Sequence, residues 1–448
     1  MLATNHEIDV PRALISSLED ARRRTDALFD IVRPDSLYER PIRERHRIIF
    51  YIGHLEAFDR NLLRGRSLSL PDTSAQLDRL FAFGIDPVGG GLPTDQPSDW
   101  PKVEQVRQYV RRVREELDER LQKLAQGTGG SDGEFSPALL LNVAIEHRLM
   151  HAETLAYMLH RLPYERKIAP ADIPRISAGA RASGMIEIPS GAVALGLSRS
   201  DNAFGWDNEY ERHAVEVPGF AIERYKTTNA EYLGFLNEGG YANQKLWSDA
   251  DWVWKESSGI SHPAFWEKQD HGAPWFWKGM FSAIPLPLDW PVYVSHAEAS
   301  AYARWAGKSL PNEAQWQRAV YGAQDGQSRK YPWGAQSPDA SRGNFDFAHW
   351  DPVSVAAHPA GASVFGPEDI LGNGWEWTST VFAPFRGFET FSFYPGYSAD
   401  FFDGKHFVIK GASSRTAACM LRPSFRNWFQ AHYQYVYAGF RCVSNRLA

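Results

Sequence analysis

The chain has 448 residues, 43% of them hydrophobic and 23% charged, with a formal net charge of −6. This is a globular composition at a length that outgrows one ordinary core, so two domains, or three, are expected. The charge excludes a nucleic-acid or anionic-membrane footprint, no apolar run is long enough to span a bilayer, and two cysteines, Cys419 and Cys442, cannot build a disulfide framework.

Residues 1–7 carry no basic segment ahead of an apolar core, so no secretory leader is expected and a reducing cytoplasm fits best. From about residue 10 to 165 the pattern is helical. Amphipathic, Arg/Glu-rich segments predict helices over 11–32, 40–64, 101–126 and 137–161, with a Gly/Pro loop over 83–91. An apolar stripe on each predicts a four-helix bundle, whose core commonly holds metal ligands projected from facing helices. The fourth helix carries His147 and His151, four residues apart and therefore on one face, and the second carries His54 among apolar residues. Neutral imidazole suits iron, copper, nickel or zinc. Taken alone, such a pair is more often solvated or locally hydrogen-bonded than a ligand set, and a lone His54 is more often a core residue.

All the tryptophans except Trp100 lie after residue 200, which marks a second domain. Short strands are predicted at Met185–Pro189 and Phe220–Tyr225, and short helices at Asn229–Gly239 and His296–Ala306. The rest is loop, to be fastened by packed Trp and Tyr rings. The reading is an α+β chain: a helical bundle over 1–168, a linker over 169–184, and a domain with a small mixed sheet over 185–448, without internal repeats.

Several segments together carry a resemblance. Tyr225-Lys226-Thr227-Thr228-Asn229-Ala230-Glu231-Tyr232, Gly307-Lys308-Ser309-Leu310-Pro311-Asn312-Glu313, Gly372-Asn373-Gly374-Trp375-Glu376-Trp377 and Ala438-Gly439-Phe440-Arg441-Cys442 resemble the formylglycine-generating-enzyme (sulfatase-modifying-factor) fold, a relative of C-type lectins. The first half, with His54 and the run from His147 through His151 to Glu153, resembles the DinB-like bundle. In this order, and with Phe204-Gly205-Trp206-Asp207-Asn208-Glu209 and Arg422-Pro423-Ser424-Phe425-Arg426-Asn427-Trp428, the pair resembles the nonheme-iron sulfoxide synthases of ergothioneine and ovothiol biosynthesis over about 15–445. The resemblance implies Fe(II) on His54, His147 and His151, dioxygen as co-substrate, and a C–S bond formed between a small thiol and the imidazole of histidine or trimethylhistidine, with oxidation of the sulfur to a sulfoxide. It implies Asn427 and Trp428 at the imidazole substrate, where aromatic faces favour a trimethylammonium group. Arg426 and Arg422 are candidates for a substrate carboxylate or for structural ion pairs, and Glu153 for a group behind an imidazole or a solvated helical carboxylate. Asp207 and Asn208 read as a structural turn. The partners implied are small molecules, and the protein itself fits a monomer or a homo-oligomer.

The departures from the family pattern define a divergent branch. Members typically place Gln immediately before the second histidine of the pair, where this chain has Met150, so an amide is replaced by an apolar thioether. Users of γ-glutamylcysteine carry Asp after Asn-Trp and Arg four residues later; here those positions are Phe429 and Tyr433, which favours cysteine or another small donor. Users of free cysteine often carry a Tyr-Tyr pair where this chain has Gly84-Ile85. A proton donor is expected instead from the loop Phe391–Tyr397, with Tyr394 favoured over Tyr397. Other readings on the same scaffold are a selenoneine-type synthase, a thiol dioxygenase and a non-catalytic binding module. Formylglycine generation itself is rejected, because Cys419 and Cys442 lie 23 residues apart and the usual cysteine pair is missing.

Overall fold

A computed structural model describes residues 12–71, 75–83, 92–126, 133–171, 184–201, 203–268, 270, 272–324 and 328–444. The chain divides into two compact units, 1–170 and 171–448. In the first, α1 (Arg12–Asp30), α2 (Ile48–Leu63), α3 (Ala75–Phe83), α4 (Val103–Ala125) and α5 (Pro137–His160) follow in order. Helix α1 packs on α5, α2 on α4 and α5, and α3 on α2. Helix α4 buries one stripe, Val106, Tyr109, Val113, Leu117, Leu121 and Leu124, at the three-to-four spacing of an amphipathic helix. Helices α2 and α5 are buried on nearly every face, which makes them the centre of the bundle.

Two features differ from the sequence-based expectation. Helix α2 starts at Ile48, not at 40. Pro41 has no backbone N–H, and the side chains of Arg40 and Arg47 both grip Asp95 while Arg47 Nη1 donates to Tyr38 O at 2.7 Å, so the segment before 48 is held in turns. Helix α3 was not expected, because nine residues are too few to display a complete apolar stripe. Gly84-Ile85, the rest of that loop and residues 172–183 of the expected linker lie outside the described residues.

The second unit carries twelve short strands among the described residues: β1 (Met185–Ile188), β2 (Gly191–Leu195), β3 (His213–Val217), β4 (Phe220–Glu223), β5 (Trp266–Glu267), β6 (Phe276–Lys278), β7 (Ala283–Pro285), β8 (Gly374–Val381), β9 (His406–Ala412), β10 (Asn427–Gln430), β11 (Ala438–Gly439) and β12 (Val443–Ser444). The largest sheet has the order β10-β9-β8-β11, antiparallel except for the parallel β11–β8 pair, so it is mixed as expected. The unit also has helices α6 (Asn229–Asn237), α7 (Asp249–Ser257), α8 (His296–Trp305) and α9 (Glu313–Tyr321), of which α8 and α9 pack on this sheet; α7 and α9 go beyond the expectation. Their starts are written in the sequence. Thr228, Ser295 and Asn312 cap α6, α8 and α9 in reciprocal boxes with Glu231, Glu298 and Gln315. The core is aromatic and encloses buried ion pairs: Glu376 on β8 accepts from Arg441 Nε and from Trp316 Nε1, both at 2.8 Å, between the buried Trp375 and Trp377.

Candidate functional site

His54 projects from α2, and His147 and His151 project from successive turns of α5. One ring nitrogen from each lies within 4.8 Å of the others, and His54 Nε2 is 3.3 Å from His151 Nε2. Ligands at right angles, each about 2.1 Å from one ion, would be roughly 3.0 Å apart, close to the His54–His151 separation. Among the described residues this is the one such group of His, Cys, Asp or Glu side chains.

The surroundings select the ligand form of each ring. His54 Nδ1 is 2.7 Å from Phe81 O; a carbonyl can only accept, so Nδ1 carries the proton and Nε2 keeps its lone pair toward the cluster. Burial pulls His54 down to about 4, and burial with the neighbouring imidazoles pulls His147 and His151 well below the usual histidine range. All three rings are therefore neutral at neutral pH, as nitrogen ligands must be. An all-nitrogen set suits iron, zinc, copper or nickel in the divalent state, so the residues present fit the Fe(II) that the resemblance implies.

The sequence of α2 explains how the rings are held. Phe50 and Phe58 flank His54 at four residues on either side, on the same face. Phe50 stacks on His54 (centroids 4.7 Å apart) and Phe58 on His147 (3.4 Å, 9° between planes). Gly53 lets α3 approach, because a methyl group there would sit 2.5 Å from Phe81 Cδ2. On another face of α2, Arg148 of α5 donates to Glu56 Oε1 (2.9 Å), Leu55 O (3.0 Å) and Asp59 Oδ2 (2.6 Å). Arg114 joins Glu56 to Asp26, and Arg22 reaches Asp118. Burial alone would raise the Glu56 carboxyl, but Arg148, Arg114 and Arg22 outweigh it and hold it at about 2. Met150 lies half-buried on α5 one residue before His151, and Glu153 is buried on the same helix outside the ligand group.

In the second unit the structure brings three of the expected site residues into one aromatic cluster. Tyr397 stacks on Trp206 (3.9 Å, 22°) and meets Trp428 edge-on at 5.5 Å, while Tyr394 lies 5.7 Å from Tyr397 and 6.5 Å from Trp206. Phe382 stacks on the Trp428 ring at 4.2 Å. The loop carrying both tyrosines is tied down where Ser398 Oγ donates to Asp207 Oδ1 at 2.6 Å, inside the turn that opens at Trp206. Burial and the Asp207 carboxylate push Tyr394 up to about 12. Asn427 opens β10, where its Oδ1 accepts from Trp428 N at 2.8 Å. Phe429 stacks on Tyr433 at 5.2 Å, 13° between planes.

Both candidate arginines form ion pairs. Arg426 is buried, its guanidinium donating to both Glu313 oxygens (2.9 and 3.1 Å), Asn208 O and Ala383 O, which uses four of its five N–H groups inside the core. Arg422 pairs with Glu209, donating from Nε to Oε2 at 2.8 Å. Trp206 and the Phe81 carbonyl were not anticipated as parts of either cluster.

Comparison with known proteins agrees with this division. Residues 17–155 match the DinB superfamily, and residues 171–446 match the family described as sulfatase-modifying factor enzyme 1-like domain. A hercynine oxygenase of Mycolicibacterium thermoresistibile is 32% identical over 98% of this chain and 95% of its own. The chain belongs to the hercynine oxygenase family of ergothioneine-type sulfoxide synthases. A second hercynine oxygenase, from Mycolicibacterium smegmatis, is 34% identical over 85% of this chain and 86% of its own length. Ergothioneine biosynthesis protein 1 of Neurospora crassa is 28% identical over 91% of this chain, which spans 55% of that longer protein. Membership makes the chain an oxygen-dependent enzyme of the ergothioneine-biosynthesis type.

Proposed function

We propose that the chain couples a small thiol, cysteine favoured, to the imidazole carbon of histidine or its trimethylated form hercynine, using Fe(II) held by His54, His147 and His151 and consuming dioxygen. The balance is thiol plus imidazole C–H plus O2 giving the imidazolyl sulfoxide plus water, so both oxygen atoms are accounted for. The observation that carries the reading is the convergence of three neutral imidazole nitrogens in a hercynine oxygenase relative. Fe(II) bound there supplies the activation of dioxygen that the coupling needs.

The protein's own groups have distinct tasks. The three imidazoles would hold the metal, and the Phe81 carbonyl fixes the tautomer of the first. Trp428, half-buried, offers a ring face for a trimethylammonium group, with Asn427 beside it as a polar contact and the buried Trp206 backing Tyr397. Tyr394 keeps its proton at neutral pH and donates from Oη, steering the reaction to coupling over plain thiol oxidation. Tyr397 packs and orients that loop through its stack on Trp206. The Phe429–Tyr433 stack offers an uncharged surface, which favours a small donor over a γ-glutamyl thiol. Met150 contributes apolar contact where an amide would bond the imidazole.

The test is oxygen uptake with product mass spectrometry. Anaerobic Fe(II)-loaded protein is given oxygen, histidine or hercynine, and a donor: cysteine, γ-glutamylcysteine or a selenol. An adduct carrying one added oxygen, absent from H147A, supports the reading and names both substrates. Cysteine oxidation without adduct assigns a dioxygenase. Oxygen uptake only with the selenol transfers the reading to a selenoneine-type synthase. No uptake with any donor would refute catalysis of this class.

A further inference from the structure

The three ligands come from two helices, so the metal site exists only if α2 and α5 hold one axial register. Ring contacts join the two helices, Phe58 on His147 and Tyr51 beside His151, and apolar burial is non-directional. Something directional must fix the sliding coordinate. Arg148 has that geometry. It is fully buried, it follows His147 directly, and its three shortest hydrogen bonds go to acceptors at 55, 56 and 59, starting one residue after His54, with a longer one to Thr25 Oγ1 of α1 at 3.5 Å. One residue is about 1.5 Å along a helix axis, so the fork grips the very turns that bear the ligands. Because one acceptor is a backbone carbonyl, the fork reads the position of the α2 main chain, which no side-chain rotation can absorb.

We propose that Arg148 is a positioning residue for the metal, a fork that sets the register of α2 against α5 and thereby the spacing of His54 from His147 and His151. The inference rests on the assignment of those histidines as metal ligands. A planar guanidinium can serve two carboxylates and a carbonyl at once, whereas an ammonium of equal charge cannot hold all three in the same plane. A second buried arginine, Arg60 on α2, bonds to Asp78, Glu116 and Pro71 O and so ties α2 to other parts of the bundle. It therefore controls for stability without register.

The experiment titrates the metal-free, full-length protein with Co(II) under anaerobic conditions and records affinity and ligand-field spectrum, alongside a melt by far-ultraviolet dichroism. R148K is expected to weaken binding 10- to 100-fold, the range for groups that orient ligands, and to alter the spectrum. R60K is expected to lower the melting temperature while keeping wild-type affinity and spectrum. Wild-type binding by folded R148K, or equal weakening by R60K, overturns the proposal. Should R148K not fold, D59L replaces one acceptor of the fork by an apolar side chain of similar size, and wild-type affinity and spectrum in that variant overturn it equally. Equal Co(II) binding by wild type and H147A would instead overturn the ligand assignment beneath it.

Discussion

Gly53→Ala tests the connection between helix packing and the metal ligands. In an exposed helix interior, alanine is favoured over glycine by about 1 kcal/mol. At position 53 the added methyl would lie 2.5 Å from Phe81 Cδ2. Carbon atoms in contact need about 3.5–4.0 Å, so the Phe81 ring must retreat by roughly 1 Å. Overpacking of this kind costs about 1–3 kcal/mol, leaving a net loss of about 0–2 kcal/mol. The effect on the site is larger. Phe81 O receives the proton of His54 Nδ1 at 2.7 Å, and a similar retreat of the carbonyl would take it out of hydrogen-bond range. Loss of an orienting partner typically lowers metal affinity 10- to 100-fold. Metal titration with Fe(II) or Co(II) and a dichroism melt read the two effects separately. A Gly53→Ala protein that melts higher and binds metal like the wild type would refute the reasoning, since that is the behaviour of an ordinary helical glycine.

Other predictions address the second unit and pH. Tyr394→Phe should retain oxygen uptake with cysteine but divert product from the sulfoxide adduct to oxidised thiol, read by the adduct-to-cysteine-sulfinate ratio in mass spectra; an unchanged ratio would remove Tyr394 from proton delivery. Arg441→Met should destabilise the second unit by about 3–5 kcal/mol, because the buried carboxylates of Glu376 and Asp369 would be left to share the Lys226 ammonium, 3.4 Å from each. Metal-free protein should lose stability as pH falls from about 6.5 to about 4. His54 and His296 both sit at about 4 in the fold against 6.5 unfolded, so the unfolded chain takes up more protons across that window. Each ring contributes roughly 3 kcal/mol that is present above the window and lost through it. Denaturant melts at pH 7, 5.5 and 4.5 check the slope, and a flat profile would contradict neutral burial.

How much was legible in the sequence differs by feature and has physical reasons. His147 and His151 are four apart on a long uninterrupted helix, so their common face follows from periodicity alone. The caps of α6, α8 and α9 are equally local, each a side chain bonding a backbone three residues on. The start of α2 was not legible, because it is set by Arg40 and Arg47 meeting Asp95, about 50 residues away. The orienting group of His54 is a backbone carbonyl, and a carbonyl leaves no mark in a sequence. Phe50 and Phe58, in contrast, stand at i−4 and i+4 of His54, a pattern that could have been read as a ring-holding collar. Arg426 shows the limit of motif reasoning: the same residue serves a ligand or an ion pair, and only the position of Glu313 decides.

The uneven placement of tryptophan has a practical consequence. Trp100 is the single indole of the first unit, buried, donating Nε1–H to Asp95 at 2.7 Å and lying edge-on to Phe50. Every other indole belongs to the second unit. Intrinsic fluorescence therefore speaks for the sulfatase-modifying-factor-type unit and is nearly deaf to the bundle that holds the histidines. A variant could lose its ligand helices while its emission barely changed. Integrity of the metal-binding half has to be followed by helical dichroism, or by replacing the other chromophores until Trp100 can be heard.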